Sequence, residues 1–110
     1  MYSNPQKLSS SEVVELRREA GRYLRGLRED KGLSQRGLAE LVGAEYYTFI
    51  SQIESGRGRI PPDRYLDWAK ALDVNARELV QKLLQWYDPV TYSILFDGGP
   101  EGHPASSRVG

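Results

Sequence analysis

Two short helical patterns on either side of a single glycine occupy residues 33–60, and this arrangement constrains the fold more than any other feature of the chain. Ser34 is a favourable N-cap residue, and Gly43 follows the first pattern where a helix-ending glycine is expected. The intervening residues therefore predict a short helix that begins at Gln35. Its apolar stripe consists of Leu38, Leu41 and Val42.

The second pattern predicts a helix from Glu45 to Ser55, which Gly56 ends. Helical spacing gives this segment an apolar face, which we expect to be buried: Tyr46, Phe49, Ile50 and Ile53. The opposite face is polar and consists of Tyr47, Thr48, Ser51, Gln52 and Ser55. A helix of this width fits the major groove of B-DNA, provided that a partner helix holds it there.

The runs LSQRGLAELVG and ISQIESG, in this order, resemble the Cro/repressor-type helix-turn-helix domains, the XRE family of bacterial and phage transcription regulators. The resemblance extends to GRYLRGLREDKG at residues 21–32 and to PPDRYLDWAKALDVNARELV at residues 61–80. Compared with the usual pattern, one extra residue separates Gly43 from ISQIESG. The resemblance implies an all-α fold in which the second motif helix contacts DNA.

Three further segments have helical patterns. A long first helix is predicted over Ser9–Lys31, where Ser9 and Glu12 form a capping box. The next helix is predicted over residues 62–72, with its core residues at Tyr65, Leu66, Ala69 and Leu72 and with Trp68 at the boundary of the core. Asn75 is predicted to cap a fifth helix that ends near residue 87, and a capping box with Glu78 is expected.

The expected architecture is an all-α, five-helix Cro/repressor-like helix-turn-helix domain with an extended first helix and a short C-terminal appendage. We divide the chain into an N-terminal tail (1–8), the DNA-binding domain (9–87), a C-terminal segment (88–96) and a disordered tail (97–110). Within the C-terminal segment, Asp before Pro is a helix-start signature, whereas the composition of residues 90–96 favours a strand. Of the two, we predict a short helix.

Composition argues against an enzyme. The chain has no Cys, and its one histidine, His103, lies in the Gly/Pro-rich tail, so no catalytic residue, metal site or cofactor is predicted. No apolar run is long enough to cross a membrane, and cytoplasm is the expected location. Residues 17–64 carry ten Lys/Arg and seven Asp/Glu, whereas the chain from residue 65 onward carries four and six. The predicted DNA-binding half is therefore net positive, although the whole chain is neutral.

The resemblance implies base contacts at four positions of the second motif helix: Tyr47, Thr48, Ser51 and Gln52. Phosphate contacts are predicted at six positions: Gln35, Arg36, Tyr46, Ser55, Arg57 and Arg59. Glu54 would repel phosphate, and the resemblance implies a structural cap or ion pair for it instead. The arginines of the first helix, Arg28 included, are expected largely on the side away from its apolar stripe, where they are either solvated or in contact with DNA.

The sequence thus predicts a sequence-specific DNA-binding transcriptional regulator, a repressor that binds a palindromic operator as a homodimer. The dimer contact is predicted in residues 88–96 and the end of the fifth helix, with the long first helix as the competing candidate. The alternative is an antitoxin-like or other protein-interaction module built on the same domain. In that case the segment VTYSILF would dock a partner protein.

Overall fold

The computed structural model describes residues 9–97, and within this range helices are the only regular secondary structure, without a β-strand. The predicted tails, residues 1–8 and 97–110, lie outside the described residues except for Asp97. The six α-helices are α1 (Ser10–Asp30), α2 (Gln35–Val42), α3 (Thr48–Ser55), α4 (Tyr65–Leu72), α5 (Ala76–Tyr87) and α6 (Pro89–Phe96). A 3₁₀ turn, Pro62–Arg64, precedes α4. The all-α class is confirmed, and the count is six rather than five because the appendage is itself a helix.

The predicted capping box begins α1. The Ser9 hydroxyl accepts a hydrogen bond from the Glu12 amide at 3.2 Å, and the Glu12 carboxylate accepts one from the Ser9 amide at 2.8 Å. These two bonds satisfy amide groups that the first helical turn would otherwise leave unpaired. The helix continues without interruption to Asp30, and Lys31 is its C-cap.

Two glycines allow α1 and α3 to cross at very short range. A Cβ atom at Gly21 would lie 2.6 Å from the carbonyl carbon of Glu54 and 2.9 Å from the carbonyl oxygen of Ile53. A Cβ atom at Gly56 would lie 2.9 Å from the amide nitrogen of Arg18, and Gly56 also has a left-handed backbone with φ of 88°. The crossing therefore requires glycine at both positions, and it fixes the orientation of α3.

The start of α3 differs from the prediction. The helix begins at Thr48 rather than Glu45, because Gly43 turns the chain with a φ of 71° and the following four residues complete the connection. The extra residue therefore lies in the turn before α3, and Ile50 stays on the buried face of the helix. Tyr46 and Phe49, predicted to be buried, are 58% and 45% exposed.

The core lies where α1, α2, α3, α4 and α5 meet. Its fully buried large side chains are Leu24, Leu38, Ile50, Ile60, Leu72, Leu79 and Leu83. Two predictions for α4 were wrong: Trp68 is buried in the core rather than at its boundary, and Leu66 is 74% exposed. The residues one turn on either side of Trp68 face inwards, so Leu66 falls on the opposite side of the helix. Leu41 of α2 is likewise exposed rather than buried.

The last two helices form a hairpin. Asn75 caps α5 by accepting a hydrogen bond from the Glu78 amide at 3.0 Å. Asp88 caps α6, where its carboxylate accepts hydrogen bonds from the amide and the hydroxyl of Thr91 at 3.1 and 2.6 Å. α6 packs against α5, and no residue of α6 is buried by the rest of the described chain. No helix within residues 9–97 is both long and apolar enough to cross a membrane.

Candidate nucleic-acid interface

The outward face of α3 presents small and polar side chains on a fixed helix. Thr48 and Gln52 are exposed and Ser51 is half-buried, whereas Ile50 and Ile53 on the opposite face are buried. The structure therefore brings three of the four predicted base-contact residues together on one exposed surface. Hydroxyl and amide groups of this kind can donate and accept hydrogen bonds at base edges.

Ser55 lies at the C-terminal end of the same helix. Its hydroxyl donates to the backbone carbonyl of Gln52 at 3.1 Å. A hydroxyl has one proton, so a hydrogen bond from Ser55 to a phosphate would require this intrahelical bond to break.

The two tyrosines predicted as contacts lie at the start of α3 rather than within it. Tyr47 is the N-cap residue, and the guanidinium of Arg36 lies over its ring at 4.3 Å from the centroid. Tyr46 packs edge-to-face against Phe49, with ring centroids 6.0 Å apart. These contacts place the Arg36 side chain of α2 beside the N-terminal end of α3.

A buried ion pair joins α1 to α3. Nε and Nη2 of Arg28 donate to the two carboxylate oxygens of Glu54 at 2.7 and 3.0 Å, and both side chains are at least nine-tenths buried. The hydrogen bonds that Arg28 donates to Glu54 raise the pKa of the guanidinium above its ordinary value, and burial opposes this increase only in part. Nη1 of Arg28 donates to the carbonyl of Leu33 at 2.8 Å, so Arg28 also stabilises the loop before α2.

The Glu54 carboxylate also binds Gln35, which is one of the predicted phosphate-contact residues. Nε2 of Gln35 donates to Oε1 of Glu54 at 3.1 Å, so the amide is oriented at the first position of α2. A glutamine amide has two N–H donors, and the second remains for another acceptor. Glu54 therefore has the structural role that the sequence predicted.

Arg28 is buried, although the sequence prediction places it on the side of α1 away from the apolar stripe. Ala20 and Leu24, at intervals of four residues before Arg28, are both fully buried. This spacing places Arg28 on the core-facing side of the helix, and it was the available signal.

Two arginines lie in the loop after α3, and their environments differ. Arg57 is exposed, and its side chain has no hydrogen-bond or ion-pair partner among the described residues. Arg59 is half-buried: its guanidinium lies 4.3 Å from the ring centroid of Tyr87 and donates to the Tyr65 hydroxyl at 3.1 Å. The Tyr87 hydroxyl accepts a hydrogen bond from the Ile60 amide at 3.2 Å. Arg59 is thus part of the packing that holds this loop.

Burial raises the pKa of Tyr87, and the hydrogen bond from Ile60 and the charges of Arg59 and Arg17 oppose this increase. Tyr87 therefore belongs to the supporting structure.

Within residues 9–97 no group of three His, Asp or Glu side chains is arranged to hold a metal ion.

Residues 19–83 match the model of a family described as a helix-turn-helix domain, and the chain belongs to this family. The match includes α2, α3 and the turn between them, and it excludes the first turns of α1 and the whole of α6. No curated protein matches the chain at a significant level.

Among solved structures, the chain is similar to the restriction-modification controller protein C.AhdI from Aeromonas hydrophila. The two share 38% sequence identity with a TM-score of 0.52, and the match covers 59% of this chain and 96% of that one. Together, the family match and this likeness identify an XRE-type helix-turn-helix regulator, and they support a DNA-binding role in transcription.

Proposed function

We propose that this protein is a sequence-specific transcriptional repressor that inserts α3 into the major groove of its operator. The observation that carries the proposal is the outward face of α3, where polar side chains are exposed on a helix fixed to α1. An α-helix with its side chains is about 10–12 Å across, so α3 fits the major groove of B-DNA, which is about 12 Å wide. Repression follows if the operator overlaps the site at which RNA polymerase binds.

The proposed base contacts come from Thr48, Ser51 and Gln52. Glutamine can form a bidentate pair with N6 and N7 of adenine, and the threonine methyl group can pack against a thymine methyl group. Tyr47, also predicted to contact bases, precedes the first turn of α3, and Arg36 covers one face of its ring.

The proposed phosphate contacts surround this face. Gln35 and Arg36 occupy the first turn of α2, where backbone N–H groups also favour an anion. Arg57 and Ser55 follow the other end of α3, and Tyr46 is exposed in the turn. Arg59 is held by Tyr65 and Tyr87, so we expect it to support the loop more than to bind phosphate itself.

Selection of bound duplexes from a random-sequence DNA pool tests this function. We expect the protein to enrich an inverted repeat whose half-sites are centred about 10 base pairs apart. Binding that is equally strong for every sequence in the pool would contradict a sequence-specific regulator.

We also propose that the protein binds DNA as a homodimer and that α6 contributes the contact. One recognition helix reads only a few base pairs, so selectivity requires two half-sites. α6 is apolar, and Ile94, Leu95 and Phe96 are 55%, 61% and 40% exposed. An isologous contact between two copies of α6 would cover this surface.

Sedimentation of the variant Ile94→Asn/Leu95→Asn tests the contact. Both side chains are exposed in one copy, so the substitutions should leave the fold intact while they shift the dimer to monomer. Leu66→Asn on α4 is the matched control, because it changes a leucine outside α6 that is even more exposed, at 74%. A double variant that remains dimeric would move the interface to another surface, and the extension of α1 with its exposed Val14 is the next candidate.

A further inference from the structure

The stack between Arg36 and Tyr47 links the N-terminal ends of the two motif helices. Arg36 is in the first turn of α2, and Tyr47 is the N-cap residue of α3. The 4.3 Å between the guanidinium carbon and the ring centroid is within the range of a favourable cation–π contact. Tyr47 is 40% exposed and Arg36 is exposed as well, so both groups remain accessible from solvent.

Several arginines of the described residues are already paired with carboxylates. Arg22 and Arg25 of α1 bind Glu19 and Glu29, and Arg64 binds Asp67. No carboxylate of residues 9–97 lies within ion-pair distance of Arg36, and the first turn of α2 contains no acidic residue. The positive charge of Arg36 is therefore available to an external anion.

The orientation of this charge depends on an aromatic ring. An exposed arginine side chain samples many rotamers, and holding it in one costs conformational entropy at the moment of binding. A ring that already holds the guanidinium reduces this cost. No side chain of the described segment caps α3, so Tyr47 does not act as a side-chain cap.

We propose that Tyr47 is a positioning residue: its ring holds the Arg36 guanidinium beside α3, where it binds a DNA phosphate. This inference rests on the proposed DNA-binding function, and it concerns how the Arg36 guanidinium is oriented before DNA binds. The aromatic ring of Tyr47, rather than its hydroxyl group, makes this contribution. The two residues consequently act as one unit.

A double-mutant cycle tests this coupling. The probe is a duplex selected from the random-sequence pool, and its dissociation constant is measured at several salt concentrations. Tyr47→Leu should weaken binding about two- to fivefold, which corresponds to an exposed cation–π contact. Arg36→Ala should weaken binding further and lower the slope of log K against log salt by about one. Tyr47→Leu should then have no added effect in the Arg36→Ala background.

The conservative variant separates the ring from the hydroxyl. Tyr47→Phe keeps the aromatic face and should bind with the parental affinity and salt slope. If Tyr47→Phe loses as much affinity as Tyr47→Leu, the hydroxyl makes the contact and the inference is overturned. Additive effects of Tyr47→Leu and Arg36→Ala would also overturn it, because independent residues do not couple.

Proton NMR of the free protein provides a readout that needs no DNA. The ring current of Tyr47 should shift the Arg36 side-chain resonances upfield, and this shift should persist in Tyr47→Phe and disappear in Tyr47→Leu. Absence of the shift in the parental protein would refute the stack itself. If the shift is present but the parental protein selects no duplex, the proposed function fails instead.

Discussion

Substitution of Gly21 by alanine probes the crossing that orients the proposed recognition helix. Gly21 and Gly26 both lie within α1, and alanine at either position gains about 1 kcal/mol of helix propensity. Their surroundings differ, because a Cβ atom at Gly26 would meet nothing within 4 Å. At Gly21 it would lie 2.6 and 2.9 Å from backbone atoms of α3.

Those distances determine the size of the effect. Carbon atoms pack about 3.5–4.0 Å apart, so Gly21→Ala requires the two helices to separate by about 1 Å. The obstacle is backbone, which cannot rotate away as a side chain would. Overpacking of this kind costs about 1–3 kcal/mol. Since the propensity gain is common to both variants, Gly21→Ala should be less stable than Gly26→Ala by about that amount or more.

Urea unfolding followed by far-UV circular dichroism measures the comparison. We expect Gly26→Ala to be as stable as the parental protein or more stable, and Gly21→Ala to unfold at lower urea concentration. Equal stabilisation by both substitutions would refute the close crossing of α1 and α3.

Three further predictions concern the supporting structure. Arg28→Met and Glu54→Leu should each lower the free energy of unfolding by about 3–5 kcal/mol, because each leaves a buried charge unpaired. The double variant should recover most of that loss. Additive losses in urea unfolding would contradict the pairing. Arg57→Ala should lower the salt slope of DNA binding by about one with little change in stability, whereas Arg59→Ala should mainly lower the urea midpoint; equal salt slopes for the parental protein and Arg57→Ala would show that Arg57 is only solvated. Because the pKa of Tyr87 is raised in the folded protein, the unfolded chain loses the phenolic proton at lower pH than the folded chain does. Stability should therefore fall as pH rises above about 10, and this fall should be smaller in Tyr87→Phe.

Local signals were enough to predict most helix boundaries. Ser9 with Glu12 predicted the start of α1, and Ser34 and Gly43 predicted both ends of α2. Each signal depends on hydrogen bonds within a few residues of the chain, so it can be recognised without knowledge of the tertiary fold.

Features that depend on distant partners were harder to predict. Arg28 is buried because Glu54, 26 residues later in the chain, accepts its hydrogen bonds. The start of α3 depends on how the chain after Gly43 returns Ile50 to the core, and the propensity of the intervening residues does not reveal this. The error at Trp68 was avoidable, because its spacing from the other buried residues of α4 already indicated the core-facing side.

We propose that the exposed face of α3 reads bases, and the binding profile of Gln52→Ala tests this role. Affinity is measured for the selected duplex and for a series in which each base pair is changed in turn. We expect a loss of about 1–3 kcal/mol on the selected duplex and relaxed selectivity at one base pair of each half-site. Gln81→Ala, which removes the same side chain from α5, should retain the parental profile. A parental profile in Gln52→Ala would contradict base reading by this residue in the present register of α3.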